Sequence, residues 1–182
     1  MKNGVTIRAD NAQSILDALK SLTKKDVLVG IPAEDSDRDD VSFGNAGIGY
    51  INEYGSPAQN IPPRPHLVPG VKSVEDQTMP QLKAAAQAAL EGDASGAERA
   101  LNQAGSLAAN GVRGYMTTTG FTPLADSTVK ARARRGRKGA SAELARRSAG
   151  EAPGTDLAKP LIDTGQYRRA ITYVVRDKDA DS

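Results

Sequence analysis

The stretch ASGAERALNQAGSLAANGVRGYMT, residues 94–117, decides the fold of this chain. Its alanines and leucines recur at intervals of three and four residues, which predicts a long helix with one apolar side. Gly105, Gly111 and Gly114 within it lower its intrinsic helix propensity. Because the apolar side carries mostly small residues, it allows another helix to approach closely; its members are Ala97, Leu101, Ala104, Leu107 and Ala108.

A second long helix is predicted over residues 71–90, directly before the first. Pro80 lies inside this pattern and has no backbone N–H, so it predicts a kink, a break or a helix that begins near Met79. Shorter helical patterns cover residues 15–22, 45–54 and 166–170, and Asp10 is the predicted N-cap of the first of these. The expected buried stripe of the second long helix comprises Val71, Val74, Met79, Leu82, Ala86 and Leu90.

Two segments rich in β-branched residues are predicted to be strands. They are DVLVGI, residues 26–31, and ITYVV, residues 171–175. Residues 4–9 are a third candidate for a short strand. Together with the helices, these segments predict a single α+β domain over residues 1–182.

The remaining segments are rich in charge or in proline. Residues 33–44 contain the run AEDSDRDD and are predicted to form a solvated acidic loop, since the carboxylates lack the spacing of a calcium-binding loop. Residues 56–69 contain five prolines, which favour an extended conformation. Two interpretations of these residues stay open: an arm that pairs with a neighbouring subunit, or a stiff connector. Residues 177–182 are predicted to be a polar tail.

Residues 128–160 carry the most concentrated positive charge in the sequence and are predicted to be a flexible basic insertion. Three interpretations stay open: docking on an acidic protein surface, ordering only on assembly, and contact with nucleic-acid phosphates. No aromatic residue is interleaved with the cations between residues 130 and 147, so base stacking is not supported. The candidate docking residues are Lys130, Arg132, Arg134, Arg135, Arg137, Lys138, Arg146 and Arg147.

The composition argues against several classes of activity. The 182 residues include no cysteine and one histidine, which removes thiolate zinc sites, cysteine nucleophiles and His-pair metal sites. There is no phosphate-binding or dinucleotide-binding glycine motif, and no apolar run approaches the roughly 18 residues of a membrane span. We therefore expect no catalysis, no cofactor, no metal and no membrane contact, and we expect His66 to be a packing residue.

Four short blocks occur in order along the chain. They are INEYG (51–55), IPPRPHL (61–67), TPLADSTVK (122–130) and PLIDTGQYRRAIT (160–172). Together they resemble the tail-completion and neck proteins of tailed bacteriophages and the related virion-morphogenesis proteins of transposable phages. In that family the position of His66 is more often Phe and that of Tyr167 more often Leu, and residues 128–159 are longer and more basic than usual.

The resemblance implies a subunit in which a small antiparallel sheet packs against two longer helices. It also implies that identical copies form a closed ring, expected to be a hexamer with a dodecamer as the alternative, at the head–tail junction of the virion after assembly in the bacterial cytoplasm. The implied partners are other copies, the portal or adaptor ring, and the tail terminator or tail tube, with DNA passing through the channel. The candidate contact residues are Glu53, Tyr54, Arg64, Pro65, His66, Arg168 and Arg169.

Two further hypotheses come from other classes of protein. The basic segment supports a nucleic-acid-binding accessory protein, whose affinity would fall steeply with salt. A nuclease or a wall hydrolase is the third hypothesis, but the available carboxylates have no supporting Lys or His pattern. Those carboxylates are Asp35, Asp37, Asp39 and Glu53.

Overall fold

The computed structural model describes residues 12–38 and 43–178, and within them the fold mixes helices with a two-stranded sheet. The predicted α+β class is confirmed, whereas the predicted strand at 4–9 and the cap at Asp10 lie outside the described residues. In chain order the elements are α1 (Ala12–Thr23), β1 (Lys25–Gly30), α2 (Gly44–Tyr54), α3 (Leu67–Lys72), α4 (Glu75–Leu90), α5 (Ala94–Thr118), α6 (Asp126–Arg134), α7 (Lys138–Ser148), α8 (Gln166–Ala170) and β2 (Thr172–Asp177).

The two strands pair antiparallel, from Lys25 opposite Asp177 to Gly30 opposite Thr172. A two-stranded sheet is marginal in isolation, and here it packs on α5, where the ring of Tyr173 lies directly over Gly105. Both predicted strands are confirmed. The predicted polar tail begins too early, because Asp177 is the last residue of β2 and its carboxylate lies 3.1 Å from the Lys25 ammonium group.

The long helix α5 forms the centre of the fold, as its pattern of small residues predicts. Ala97, Leu101, Ala104 and Ala108 are buried, although Leu107 is only partly buried. A methyl group added at Gly70 of α3 would lie 2.6 Å from Val112 Cα of α5, so these two backbones are in close contact. The main core contains Val112, Met116, Leu161, Tyr167 and Ile171.

The segment before α5 differs from its prediction in two ways. The predicted helix is interrupted at residues 73–74, between α3 and α4. Pro80, where the kink or break was expected, lies inside α4. The buried positions of α4 are Thr78 and Ala85, whereas Met79, Leu82 and Leu90 are exposed. The physical reason is that close packing on a small-residue helix selects the face with the smallest side chains, not the face with the largest ones.

The prediction of a flexible basic insertion is wrong, because residues 126–148 form the helices α6 and α7. Alanine, arginine, leucine and glutamate all have high helix propensity. Gly136, with φ of 80°, ends α6 with hydrogen bonds from its own N–H to Ala133 O and from Arg137 N–H to Arg132 O. The pair of helices has a small core of its own, formed by Leu124, Val129, Ala140 and Ala158.

Candidate functional site

Glu53, at the end of α2, ties this helix to the start of α3. Its Oε2 accepts hydrogen bonds from the backbone N–H groups of His66 at 2.8 Å and Leu67 at 3.1 Å. The carboxylate is nearly buried, so charge-assisted bonds of this kind contribute strongly to holding the two elements together. Oε2 of Glu53 is thus used within the chain, and the partner contact that the resemblance implies for this residue stays a prediction.

His66 is fully buried between three partners. Its Nδ1 lies 2.9 Å from Arg64 O and 3.1 Å from Glu53 Oε2, and its Nε2 is hydrogen bonded to the hydroxyl of Tyr167. These partners fit a neutral ring that donates from Nδ1 and accepts from the tyrosine hydroxyl at Nε2. Burial lowers the pKa of His66, and the Arg64 carbonyl and Glu53 raise it by a smaller amount. Burial raises the pKa of Tyr167, because in both residues it disfavours the charged form. His66 is thus a packing residue, as expected, and not a surface contact.

Arg64 fastens the proline-rich segment to the third sequence block. Its Nε donates to Thr122 O at 3.0 Å and its Nη2 to Pro123 O at 3.3 Å, and the residue is only 6% exposed. The segment itself closes through a bridge between Ser56 and Ile61. These contacts favour the connector interpretation of residues 56–69 over the free arm, and Arg64 is buried against the chain and not freely exposed.

Arg132 and Asp163 join α6 to the chain that follows α7. The guanidinium of Arg132 donates to the carbonyls of Lys159, Pro160 and Ile162 at 2.8–3.0 Å. The carboxylate of Asp163 accepts from Arg135 at 2.8 Å and from Arg137 at 3.0 Å. Beside Asp163, Thr164 Oγ1 accepts a hydrogen bond from Gln166 N–H at 3.2 Å at the start of α8.

Glu143 is the buried counter-charge of α7. Its carboxylate accepts from Arg146 Nε at 3.1 Å, Arg147 Nε at 2.9 Å and Gly154 N–H at 2.7 Å. Burial alone would raise the pKa of Glu143, but these three hydrogen bonds and the charge of Arg146 lower it to about 2. Glu143 was missed from the sequence, although a single glutamate followed by arginine at the third and fourth positions is the spacing of helical ion pairs.

The eight candidate docking cations therefore divide into two groups. Arg132, Arg135, Arg137, Arg146 and Arg147 bind carbonyls or carboxylates of the same chain. The other three are exposed, and among the described residues their side chains have no hydrogen-bond or ion-pair partner: Lys130, Arg134 and Lys138. Five of the eight candidate docking residues therefore have partners within the chain.

The remaining predicted contact residues lie at or near the surface. Tyr54 is 68% exposed and its ring centroid is 4.9 Å from that of Tyr50. Pro65 and Arg169 are exposed, whereas Arg168 is partly buried and donates to Arg113 O at 3.2 Å.

The acidic segment is described only in part. Glu34, Asp35 and Asp37 are exposed, and Asp39 and Asp40 lie outside the described residues. No group of three or more potential metal ligands is present in the part of the chain that the structure describes.

A cleft of about 770 Å³ lies between the end of α2 with the proline-rich segment on one side and α6 with residues 160–165 on the other. Its described charged lining consists of Arg38, Arg64, Arg132, Arg135 and Asp163. Proline and aliphatic side chains form much of the remaining wall, and the hydroxyl of the buried Tyr167 is engaged by His66. The sequence did not predict this cleft, because its arginines come from segments far apart in the chain.

Comparisons with models of protein families, with characterised proteins and with solved structures return no match for this chain. Across residues 12–38 and 43–178, no helix has the length and apolar character needed to cross a bilayer.

Proposed function

We propose that this chain is a structural subunit of a tailed-bacteriophage virion, a neck or tail-completion protein whose copies form a ring at the head–tail junction. The four sequence blocks that carry the resemblance also contact one another. Glu53 of the first block binds His66 of the second, Arg64 binds carbonyls of the third, and Tyr167 of the fourth binds His66. Their polar groups are used for folding, which supports a scaffold that acts by geometry.

The observation that carries the proposal is the open sheet. Among the described residues, β1 and β2 pair only with each other, so each strand has one edge without a partner. An exposed strand edge invites pairing with another chain. A mostly apolar groove of about 380 Å³ lies between Val29 of β1 and the helices α3 and α4, and Val68 in its wall is 73% exposed. Its lining is Val29, Leu67, Val68, Val71, Lys72, Glu75 and Thr78. A strand from a second copy that joined β1 would cover this groove.

The exposed tyrosine pair of α2 supports the same proposal. Tyr50 and Tyr54 are 67% and 68% exposed and lie in contact with each other. Aromatic residues are enriched in protein–protein interfaces because they bury a large area with few rotatable bonds. We assign this pair, with Pro65 and Arg169, to contacts between subunits or with neighbouring neck proteins.

The test combines assembly in solution with complementation in the phage. We expect the purified chain to form closed rings at high concentration, seen by electron microscopy and mass photometry. Val68→Asp, placed in the groove beside β1, is expected to abolish the rings, whereas Leu157→Asp, at a similarly apolar position 43% exposed, is expected to leave them intact. Equal assembly by both variants would exclude the β1 side as the subunit interface.

Deletion of the gene from the parent phage tests the role itself. We expect DNA-filled heads and finished tails to accumulate unjoined, and we expect wild-type protein supplied in trans to restore virions. If joined, infectious particles form without the protein, the proposal is wrong.

A nucleic-acid-binding accessory protein is the second candidate, and the observation in its favour is the unpaired Lys130, Arg134 and Lys138. Three phosphate contacts correspond to a slope of about −3 in log affinity against log salt. The triple glutamine variant of these residues should abolish that binding if the candidate is correct. Binding that the triple variant retains would exclude these cations as the DNA contact.

A further inference from the structure

The cleft beside α6 is unusual in the charge it buries. Arg64 is 6% exposed and Arg132 is 9% exposed, and both line the cleft. Their described hydrogen bonds go to backbone carbonyls, which carry no net charge. Buried cations are normally matched by carboxylates because desolvation of an unmatched charge is costly.

Within residues 12–38 and 43–178, the cleft lining holds fewer carboxylates than guanidinium groups. Asp163 is the one acidic residue in its described lining, and it lies 3.8 Å from Arg132 while also binding Arg135 and Arg137. Burial lowers the pKa of Arg132, Asp163 raises it, and the neighbouring Arg135, Arg64 and Arg137 lower it further. The guanidinium groups are therefore close enough to repel one another.

One of these guanidinium groups also has an unused donor. Arg64 donates from Nε and Nη2, but its Nη1 has no hydrogen-bond partner among the described residues. This nitrogen is not sealed from solvent either, since it is absent from the fully buried atoms that lack a partner. Arg64 is more than nine-tenths buried and lines the cleft, so the unused N–H donor belongs to a residue of the cleft wall.

We propose that this cleft binds an acidic peptide segment of a partner protein, with a carboxylate of that segment held by Arg64 and Arg135 above Arg132. A carboxylate matches the planar donor fork of a guanidinium group. It would also add negative charge to that of Asp163 opposite the guanidinium groups of the cleft. The cleft shares no described lining residue with the groove beside β1, so its test does not depend on the subunit interface proposed there.

The walls of the cleft favour a peptide over a nucleic acid. Pro62, Pro123, Pro153, Pro160 and Leu161 line it and offer apolar surface to the aliphatic side chains that flank an acidic residue. Single-stranded nucleic acids need aromatic faces for stacking, and the described aromatic residue of the lining, Tyr167, is buried at 5% exposure.

Two variants of the same ion-pair group separate the cleft from its surroundings. Arg135 and Arg137 each donate one hydrogen bond to Asp163, but only Arg135 is in the described lining of the cleft. Arg135→Gln tests the site, and Arg137→Gln is the matched control that loses an equivalent bond. Both side chains are largely exposed, at 59% and 43%, so both variants are expected to fold.

The probe is a labelled, end-blocked peptide in which glutamate alternates with leucine and proline, and its binding is measured by fluorescence anisotropy. We expect binding to wild type that Arg135→Gln weakens about tenfold or more and that Arg137→Gln changes by less than about threefold. The same peptide with glutamine at every glutamate is expected not to bind. Arg64→Lys, which keeps the charge and loses the fork, should weaken binding as strongly as Arg135→Gln.

Three results would overturn the proposal. The first is no binding of the glutamate peptide at concentrations up to about 1 mM. The second is equal binding of the glutamate and glutamine peptides, or equal losses in the two arginine variants. The third is displacement of the peptide by single-stranded DNA that itself binds more tightly and depends on Arg135, which would assign the cleft to nucleic acid.

Discussion

The hydrogen bond between His66 and Tyr167 permits a quantitative test of how the sequence blocks hold the fold together. Tyr167→Phe removes only the hydroxyl, and it leaves Nε2 of the fully buried His66 without its donor. A buried polar atom without a partner costs about 1–3 kcal/mol. We expect Tyr167→Phe and His66→Phe each to lower the free energy of unfolding by at least this amount. The double variant should lose about 1–2 kcal/mol less than the sum, because no member of the pair is left unsatisfied.

The same pair predicts a dependence on pH. Burial lowers the pKa of His66 below its ordinary value of 6.5, so the unfolded chain takes up a proton at a higher pH than the folded chain. Stability is therefore lost as the pH falls below 6.5 and until the folded-state pKa is reached, by at most about 1.4 kcal/mol per pH unit. This loss should be present in wild type and absent from His66→Phe.

Urea unfolding of the four proteins between about pH 5 and pH 8 measures both effects. Tyr50→Phe is the control, because this tyrosine is 67% exposed and its substitution is expected to change stability by less than about 0.5 kcal/mol. Strict additivity of the two single variants, together with parallel pH profiles for wild type and His66→Phe, would refute the proposed hydrogen bond and the neutral ring.

The remaining predictions concern packing and buried charge, and each is measured by urea unfolding. Glu143→Ala is expected to lower the free energy of unfolding by about 3 kcal/mol. In wild type the pKa of Glu143 is about 2, so its contribution to stability is present above its ordinary pKa of 4.5 and is lost as the pH falls from 4.5 toward 2. The same loss of stability below pH 4.5 in Glu143→Ala as in wild type would contradict this prediction. Arg132→Met should cost about 2–4 kcal/mol because three carbonyls lose their donor. Gly70→Ala should destabilise by about 1–3 kcal/mol through its contact with α5, whereas Gly114→Ala, with nothing within 4 Å, should stabilise by up to about 1 kcal/mol; equal effects would reject the close contact of α3 with α5.

Periodicity predicted the elements whose role is packing. Both strands and α5 were placed from their patterns because each has one face that must be buried. The same logic failed for α4, where alanines surround the helix and periodicity does not distinguish one face from another. The buried face of α4, at Thr78 and Ala85, is set by the surface of α5, which is tertiary information that the local sequence does not contain.

Charge was the weaker guide, because a cation in sequence does not reveal whether its partner lies in the same chain. The run from 130 to 147 has the composition of a solvated segment, yet it forms most of the helices α6 and α7. Glu143 and Asp163 also accept hydrogen bonds from four of its arginines. Helix propensity and the spacing of Glu143 from Arg146 and Arg147 could have predicted the helices and the bonds to Glu143. The bonds to Asp163 could not be predicted in this way, because they depend on how the chain after α7 folds back onto α6.

The cleft follows from the same principle at longer range. Arg64 reaches the carbonyls of Thr122 and Pro123 across 58 and 59 positions of sequence, and Arg132 reaches Pro160 across 28. Each bond satisfies a polar group of the fold, but carbonyls carry no net charge, and Asp163 is the one carboxylate in the described lining that Arg64 and Arg132 share. The cations that the sequence marks most clearly are therefore mostly used within the chain, and the proposed binding site depends on Arg64, which stands outside the basic run.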